Sequence, residues 1–402
     1  MRMKYKRFLV SGFCVIFLFI LLGYLLSPRS PPYEPSKAML KFRQLKSAYR
    51  SKLAKYKKIY YGPAKNYVTY GQPLGQLFAH RRDPSVKQVL LWTSFHGRWN
   101  YFPEKVVISD GRSCVRSTDR SNLNQSHAVV IHSLNLDPGV KDLPRFRLPF
   151  QRWVFFVMES PRSNSINMEA FQGVFNWTVT YRRDADFMAN YFVVQKRKKP
   201  LTDDETAKLK AHILHGKQKL IAFLDSDCGE RRAERRHYVF ELQKYVRVDI
   251  YGGCAGGNCT HGSGECKKIL STYKFYLALE NSHCRDFITE KVRQPLVDWE
   301  AVPVVLGADH PSTYEELLPP GSYIHADGFH SVLALAKYLV LLNRNQELYE
   351  MYHEWRRTYQ VLRNLSWPRQ LCDALHNQSL PIQTYSNFSG WYNEDVCKSG
   401  AP

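Results

Sequence analysis

Residues 274–291, KFYLALENSHCRDFITEK, constrain the fold more than any other part of the chain. The segment opens on a largely apolar run, which suits a strand buried on both faces. A polar loop and the opening of a helix follow, and residues 302–307, VPVVLG, read as a second strand. A strand–helix–strand unit of this kind implies a parallel sheet with a right-handed crossover. Glu280 and Asn281 fall at the end of the first strand, and Asp286, Thr289, Glu290 and Lys291 gather where the helix begins. Free backbone N–H groups at a helix N-terminus, backed by a lysine, suit a phosphate. A carboxylate beside them suits a ribose hydroxyl pair. The stretch therefore predicts a nucleotide-diphosphate site without a glycine-rich loop.

The same pattern recurs along the chain. Residues 89–92, 128–131 and 153–157 are short apolar runs, as expected of strands in a parallel sheet. Further on, 220–224 reads as a strand, 233–245 as a helix, 246–251 as a strand, 323–326 as a strand and 331–343 as a helix. Strands alternating with helices predict an α/β protein. We divide the chain into a tail 1–7, an apolar span 8–26, a stem 27–85, α/β domains at 86–215 and 216–365, and a cysteine-bearing tail 366–402.

Residues 8–26 hold no charge and, at about 1.5 Å per residue, reach across a hydrocarbon layer of roughly 30 Å. Arg2, Lys4, Lys6 and Arg7 precede them, which places the N-terminus in the cytosol and the rest in the secretory lumen. The run is long for a signal-peptide core, and Leu25-Leu26-Ser27 is a poor cleavage site, so an uncleaved anchor is expected. The net charge of +21 concentrates here, because residues 1–60 hold fourteen Lys or Arg against Glu34. A basic tail and stalk are not a nucleic-acid surface, and no nucleic acid is expected. In the stem, Phe42, Leu45, Tyr49, Leu53 and Tyr56 recur every three or four residues. That spacing predicts an amphipathic helix, either solvated or pairing two copies into a homodimer.

Six sequons agree with a lumenal body: Asn124, Asn176, Asn258, Asn364, Asn377 and Asn387. Cysteine usage agrees too. Cys254, Cys259, Cys266 and Cys284 lie near His261, where disulfides are favoured over zinc in an oxidising compartment. Cys372 and Cys397 read as clips for the C-terminal tail, and Cys114 and Cys228 have no evident partners.

Glu280-Asn281-Ser282, residues 286–291 (DFITEK), 302–307 (VPVVLG) and 323–329 (YIHADGF) together resemble the signature of the α1,3-fucosyltransferases. Upstream, Glu159-Ser160-Pro161 and residues 176–184 (NWTVTYRRD) resemble the same family, and the similarity runs from about Val89 to about Arg356. The resemblance implies two Rossmann-like domains facing a cleft, of GT-B type. It implies a type II Golgi membrane enzyme that moves fucose from GDP-fucose to a GlcNAc hydroxyl of a glycoprotein glycan. The product is α1,3-linked and the anomeric carbon inverts.

Inverting transfer needs a base for the acceptor proton, on the face opposite the leaving group. Glu159 follows an apolar run directly, at the mouth of a sheet, and by resemblance it is that base. Lys291 and Arg235 are the cations expected to stabilise the leaving diphosphate, with Arg236 the alternative register in RRAERRHY. By resemblance Glu290 grips ribose hydroxyls, Phe287, where many relatives carry Tyr, is a donor contact through ring stacking or packing, Asn281 is a donor contact lining the cleft, and Tyr181 lines the cleft. Asp225-Ser226-Asp227 has the Asp-x-Asp form of metal-dependent transferases, in a loop where the family normally has Ser-Asn. Because Lys291 and Arg235 can neutralise the diphosphate, no metal is expected to be required, a divalent ion at most stimulating. Asp227 is then a donor contact or a helix cap. A metal-dependent transferase built on Asp225 and Asp227, and a non-catalytic glycan-binding protein, are the alternatives. The run His132-Ser133-Leu134-Asn135 and the loop Tyr251-Gly252-Gly253-Cys254 lean toward invertebrate and core-type members, whose acceptor is the innermost GlcNAc of N-glycans.

Overall fold

The computed structural model describes residues 83–398 with Tyr61 and Gly62, apart from 137–141, 145, 165, 227–232, 256–258, 261 and 309. The apolar span 8–26, the stem helix, Asp227, Cys228, Asn258 and His261 lie outside the described residues. Among the described residues no helix is long and apolar enough to cross a membrane.

A short strand β1 (Tyr61–Gly62) precedes the first sheet. That sheet holds β2 (Val86–Leu91), β3 (Lys105–Val107), β4 (Ser113–Ser117), β5 (Ala128–His132), β6 (Arg152–Val157), β7 (Trp177–Thr180) and β8 (Phe187–Met188). Their spatial order is 3-4-2-5-6-7-8, and only β3 runs antiparallel to its neighbour. After β9 (Val193–Lys196) and helix α1 (Asp203–Gly216) comes the second sheet: β10 (Lys219–Leu224), β11 (Val248–Tyr251), β12 (Tyr273–Cys284), β13 (Val302–Ala308) and β14 (Ile324–His325). Its order is 11-10-12-13-14 and every pair is parallel.

In the second sheet each crossover is a helix. α2 (Ala233–Gln243), α3 (Gly264–Ser271), α4 (Glu290–Val297) and α5 (Pro311–Leu317) connect successive strands, and α6 (Val332–Arg344) follows β14. α6 shows why the sequence folds so. Ser331 caps it by accepting from the Ala334 N–H at 3.1 Å, and Leu335, Ala336, Leu339 and Leu342 bury one stripe. That stripe packs on Phe275, Leu277, Val302 and Val304 of the central strands. A short helix α7 (Gln346–Met351) follows, and β15 (Tyr359–Leu362) pairs antiparallel with β9.

The first sheet is closed differently. Its strands are joined by loops and 3-10 turns, with no α-helix between them among the described residues. Its two faces are covered by α8 (Trp367–His376), β16 (Thr384–Tyr385) and α9 (Phe388–Asn393), from the far end of the chain. Alternate residues of a strand face opposite sides. Val89, Val130, Val154 and Phe156 accordingly meet Trp367 and Leu371 on one face. Leu90, Ile131, Trp153 and Phe155 meet Tyr385, Phe388, Trp391 and Tyr392 on the other. The segment expected as a tail from residue 366 is thus the lid of the first sheet's core on both faces. Its apolar residues could not be assigned from local periodicity, because their partners lie more than one hundred residues away.

The cysteines follow this closure. Cys114 joins Cys372, and Cys284 joins Cys397, so both C-terminal cysteines do clip the chain end. Cys284 therefore leaves the group near His261, where Cys259 pairs with Cys266 and Cys254 is also disulfide-bonded. His376 lies beside the Cys114–Cys372 bridge, but both sulfurs are spent in the bond and cannot hold a metal.

A buried charge network ties the two sheets together. Arg182 pairs with Asp184 and donates to the Trp391 carbonyl at 2.6 Å. Asp184 accepts from Arg285 at 2.9 Å, and Asp286 accepts from Arg183 Nε at 2.8 Å. Arg183 also pairs with Glu316. Burial pushes the Asp184 carboxyl up, but Arg182 and Arg285 outweigh it and hold it below its ordinary range. The described residues of both sheets belong to one compact unit.

Candidate active site

Strand order reverses in both sheets, between β10 and β12 in the second and between β2 and β5 in the first. Ligands of α/β sheets bind beyond the carboxyl ends of the strands at such reversals. The two reversals meet at one cavity of about 400 Å³. His96, Leu134, Glu159 and Ser163 line it from the first sheet. Leu224, Ser226, Arg235, Tyr276, Asn281, Glu290, Lys291 and Gln294 line it from the second. Of the residues singled out by sequence, Glu159, Arg235, Asn281, Glu290 and Lys291 come together here.

Glu159 follows β6, whose fully apolar end holds its backbone, and is half-buried. The Tyr191 hydroxyl donates to the Met158 carbonyl at 3.1 Å and lies 3.5 Å from Glu159 Oε1. The next residue is tied across the sheets: Ser160 Oγ donates to Ser282 Oγ at 2.8 Å. The carboxylate therefore projects from a turn that is fixed on both sides.

On the opposite wall Lys291 Nζ lies 3.2 Å from Glu280 Oε2, 3.2 Å from Thr289 Oγ1 and 3.7 Å from Glu290 Oε1. Burial pushes the ammonium down, but Glu280 and Glu290 outweigh it and hold it above its ordinary range. Burial pushes the Glu280 carboxyl up, with Lys291 acting against it. Glu280 also accepts from the Thr289 N–H at 2.7 Å and hydroxyl at 2.9 Å.

This narrows one expectation. Two N–H groups at the N-terminus of α4 are already taken, because the Glu280 carboxylate accepts from the Thr289 N–H and the Thr289 hydroxyl accepts from the Lys291 N–H. Cationic side chains also face the cavity. Arg235 donates to Asp225 Oδ1 at 2.7 Å and Arg236 to Asp225 Oδ2 at 2.8 Å. Arg235 Nε is buried without a hydrogen-bond partner among the described residues, on a residue that lines the cavity. Asn281 Oδ1 is in the same position. Two orphaned polar atoms around one cavity are what an absent polar ligand would leave behind.

Asp225 is fully buried and both its oxygens are engaged by guanidinium groups, so it is a brace for the arginines rather than an open metal ligand. Gly252, at φ 98°, lets the chain after β11 close over it, since a Cβ there would lie 2.4 Å from the Asp225 carbonyl oxygen. Phe287 and Tyr181 are not in the cleft. Both are buried in a satellite core with Cys284 and Val396, ring against ring at 4.9 Å. A phenylalanine suits that apolar site, which has no exposed face for a ligand. Asp286 turns away as well, at φ 64°, to pair with Arg183.

Several cavity residues escaped the sequence reading: His96, Ser163, Tyr276 and Gln294. His96 had a signal, since His96-Gly97 is a two-residue turn in which both residues take positive φ, closed by the paired backbone bonds of Phe95 and Arg98. The sequons also divide. Asn377 is exposed, whereas Asn176 is a buried structural amide. It accepts from the Trp153 N–H at 2.7 Å and donates to the Gln383 carbonyl at 2.9 Å, leaving no room for a glycan. Asn364 and Asn387 are half-buried with bonded side chains, and Asn124 is half-buried on a 3-10 turn.

Two family models match the chain. Fucosyltransferase, N-terminal, covers residues 84–192, and Glycosyltransferase family 10 (fucosyltransferase) C-term covers residues 214–391. Alpha-(1,3)-fucosyltransferase C of Drosophila melanogaster is 33% identical over 337 residues, 77% of this chain and 78% of the relative. Glycoprotein 3-alpha-L-fucosyltransferase A of the same organism is 39% identical over 317 residues, 76% of this chain and 60% of the relative. The human 4-galactosyl-N-acetylglucosaminide 3-alpha-L-fucosyltransferase FUT5 is 34% identical over 314 residues, 76% of this chain and 79% of the relative. Among solved structures, a crystal structure of an alpha1,3-fucosyltransferase superposes with a TM-score of 0.50 at 16% identity, over 73% of this chain and 90% of that one.

Proposed function

Because the chain belongs to glycosyltransferase family 10, the fucosyltransferases, we propose that its two sheets divide one fucosyl transfer between them. The second sheet holds GDP-fucose, with Lys291 and Arg235 toward the diphosphate, Glu290 toward ribose hydroxyls and Asn281 toward a donor hydroxyl. The first sheet receives the acceptor and supplies Glu159. The Glu159 carboxylate takes the proton from a GlcNAc hydroxyl while that oxygen bonds to the anomeric carbon. The bond from that carbon to the β-phosphate oxygen breaks on the opposite face, and the linkage inverts to α1,3. Negative charge grows on the departing GDP, and cations already in place stabilise it without reorganisation.

The carrying observation is that a carboxylate from one sheet and a lysine from the other line one cavity at the strand-order reversals of both. That facing pair of parallel sheets supports a GT-B arrangement. No metal is required in this mechanism: Asp225 is spent on Arg235 and Arg236, and cationic side chains neutralise the donor. The acceptor is a glycoprotein N-glycan, and the innermost GlcNAc is the favoured position. The relatives' own names include both a glycoprotein and a 4-galactosyl-N-acetylglucosaminide acceptor. The uncharged run 8–26 after a basic tail supports a single-pass Golgi anchor with the catalytic body lumenal.

The test is to give the full-length protein GDP-fucose with a panel of N-glycan and LacNAc acceptors, with and without EDTA, and to map the linkage formed. An α1,3-fucosylated GlcNAc made in EDTA supports this function. Activity lost in EDTA and restored by Mn²⁺ would replace it with the metal-dependent alternative, and no transfer by correctly folded protein would leave a binding protein.

A further inference from the structure

Glu280 is a carboxylate with no exposed surface, placed behind a cavity suited to an anionic ligand. The fold makes room for it. Gly307, at φ 140°, has no Cβ, and a Cβ there would lie 2.4 Å from the Glu280 Cβ. A buried carboxylate is costly unless it is paired. A neutral glutamine could accept the two Thr289 bonds equally well through its amide oxygen. It could not neutralise Lys291. A negative charge near a diphosphate is also unfavourable in itself, so its use must lie in what it does to the lysine.

We propose that Glu280 is a positioning residue that fixes both the place and the positive charge of Lys291, so that the donor diphosphate meets a cation already set. This rests on Lys291 being the diphosphate cation, as proposed above. The charged groups facing Lys291 are Glu280 behind it, Glu290 beside it, and Arg235 and Glu159 around the cavity. Burial and Arg235 favour the neutral amine, whereas Glu280, Glu290 and Glu159 favour the ammonium, Glu280 most of all. Removing Glu280 therefore shifts the balance toward a lysine that loses its proton at lower pH, and donor binding should weaken as the pH rises.

Calorimetry of GDP binding between pH 7 and 9.5, on full-length wild type, Glu280→Gln, Lys291→Ala and the double variant Glu280→Gln/Lys291→Arg, tests this. Wild type should bind GDP with little change across the range. Glu280→Gln should bind within about threefold of wild type at pH 7 and at least tenfold more weakly at pH 9.5. Arginine does not deprotonate in this range, so the double variant should restore a flat profile. A Glu280→Gln profile parallel to wild type overturns the proposal. So does uniform weakening that the added Lys291→Arg change fails to flatten, which would mean Glu280 only holds the fold. If Lys291→Ala binds GDP as wild type does, the donor assignment itself falls and the proposal with it.

Discussion

The two sheets reach the same end, a parallel core with ligand groups at its carboxyl edge, by opposite routes. The second sheet is closed by its own helices: the crossovers α2 and α4 pack on neighbouring strands, and α6, which follows the last strand, packs back on the central ones. The first sheet borrows its cover from residues 367–392, reached only after the second sheet is complete. The second sheet's core can form as the chain emerges, whereas the first sheet's cannot close until the last residues return. The disulfides within each sheet's core fall in line, Cys114–Cys372 in the first with a separation of 258 residues against 7 for Cys259–Cys266 in the second, while Cys284–Cys397, with 113, ties the returning chain to the end of β12.

The largest expected effect comes from ending the chain after Leu365. This strips Trp367, Leu371, Phe388 and Trp391 from the first sheet and leaves Cys114 and Cys284 unpaired. Circular dichroism and secreted yield should show loss of the cooperatively folded protein. A truncated chain melting within a few degrees of the full one would erase the distinction between the halves.

A smaller effect separates the bridges. In the chain-entropy account, losing the link of Cys114 to Cys372 costs roughly 5 kcal/mol, and losing Cys259–Cys266 roughly 2 kcal/mol. Denaturant unfolding of the two double-serine variants measures both. Equal losses would mean the long closure contributes no more than a local loop.

This contrast also explains what the sequence could reveal. The second sheet was legible because local signals suffice for it: apolar runs such as 302–307, and helices whose stripes face their neighbours in sequence. Within the first sheet β5 and β6 were legible for the same reason. β4 was not, since Ser113–Ser117 mixes polar and basic residues and is recognisable only by its pairing with β2. Trp367 and Trp391 read as tail residues because nothing near them shows what they bury. At the site, Glu159, Glu290 and Lys291 were singled out at strand and helix ends together with the family resemblance, and all three line the cavity. Phe287 and Tyr181 were misplaced because the same motif that carries the donor residues also builds the core behind them, and residue type does not separate the two.

The smallest effect concerns pH. His353 is buried in the second half against Tyr349, and burial first, then Arg356, Lys217 and Lys210, push its imidazole well below the ordinary range. The folded state therefore keeps it neutral while the unfolded chain takes a proton near pH 6.5. Its contribution is fully present above about pH 6.5 and is lost as the pH falls toward the folded value, at no more than about 1.4 kcal/mol per pH unit. Unfolding free energies of His353→Gln should lose that slope between pH 6.5 and 5. An unchanged slope would move the acid sensitivity to other groups, such as those at the seam around Asp184.

The division of labour between the sheets is tested most directly by one variant measured twice. Glu159→Gln should bind GDP as tightly as wild type by calorimetry, because the donor groups lie on the other sheet. Its fucosyl transfer should fall by roughly 100-fold or more, the scale of a lost general base. Near-normal transfer, or GDP affinity lost together with activity, would contradict an account in which the first sheet supplies the base and the second holds the donor.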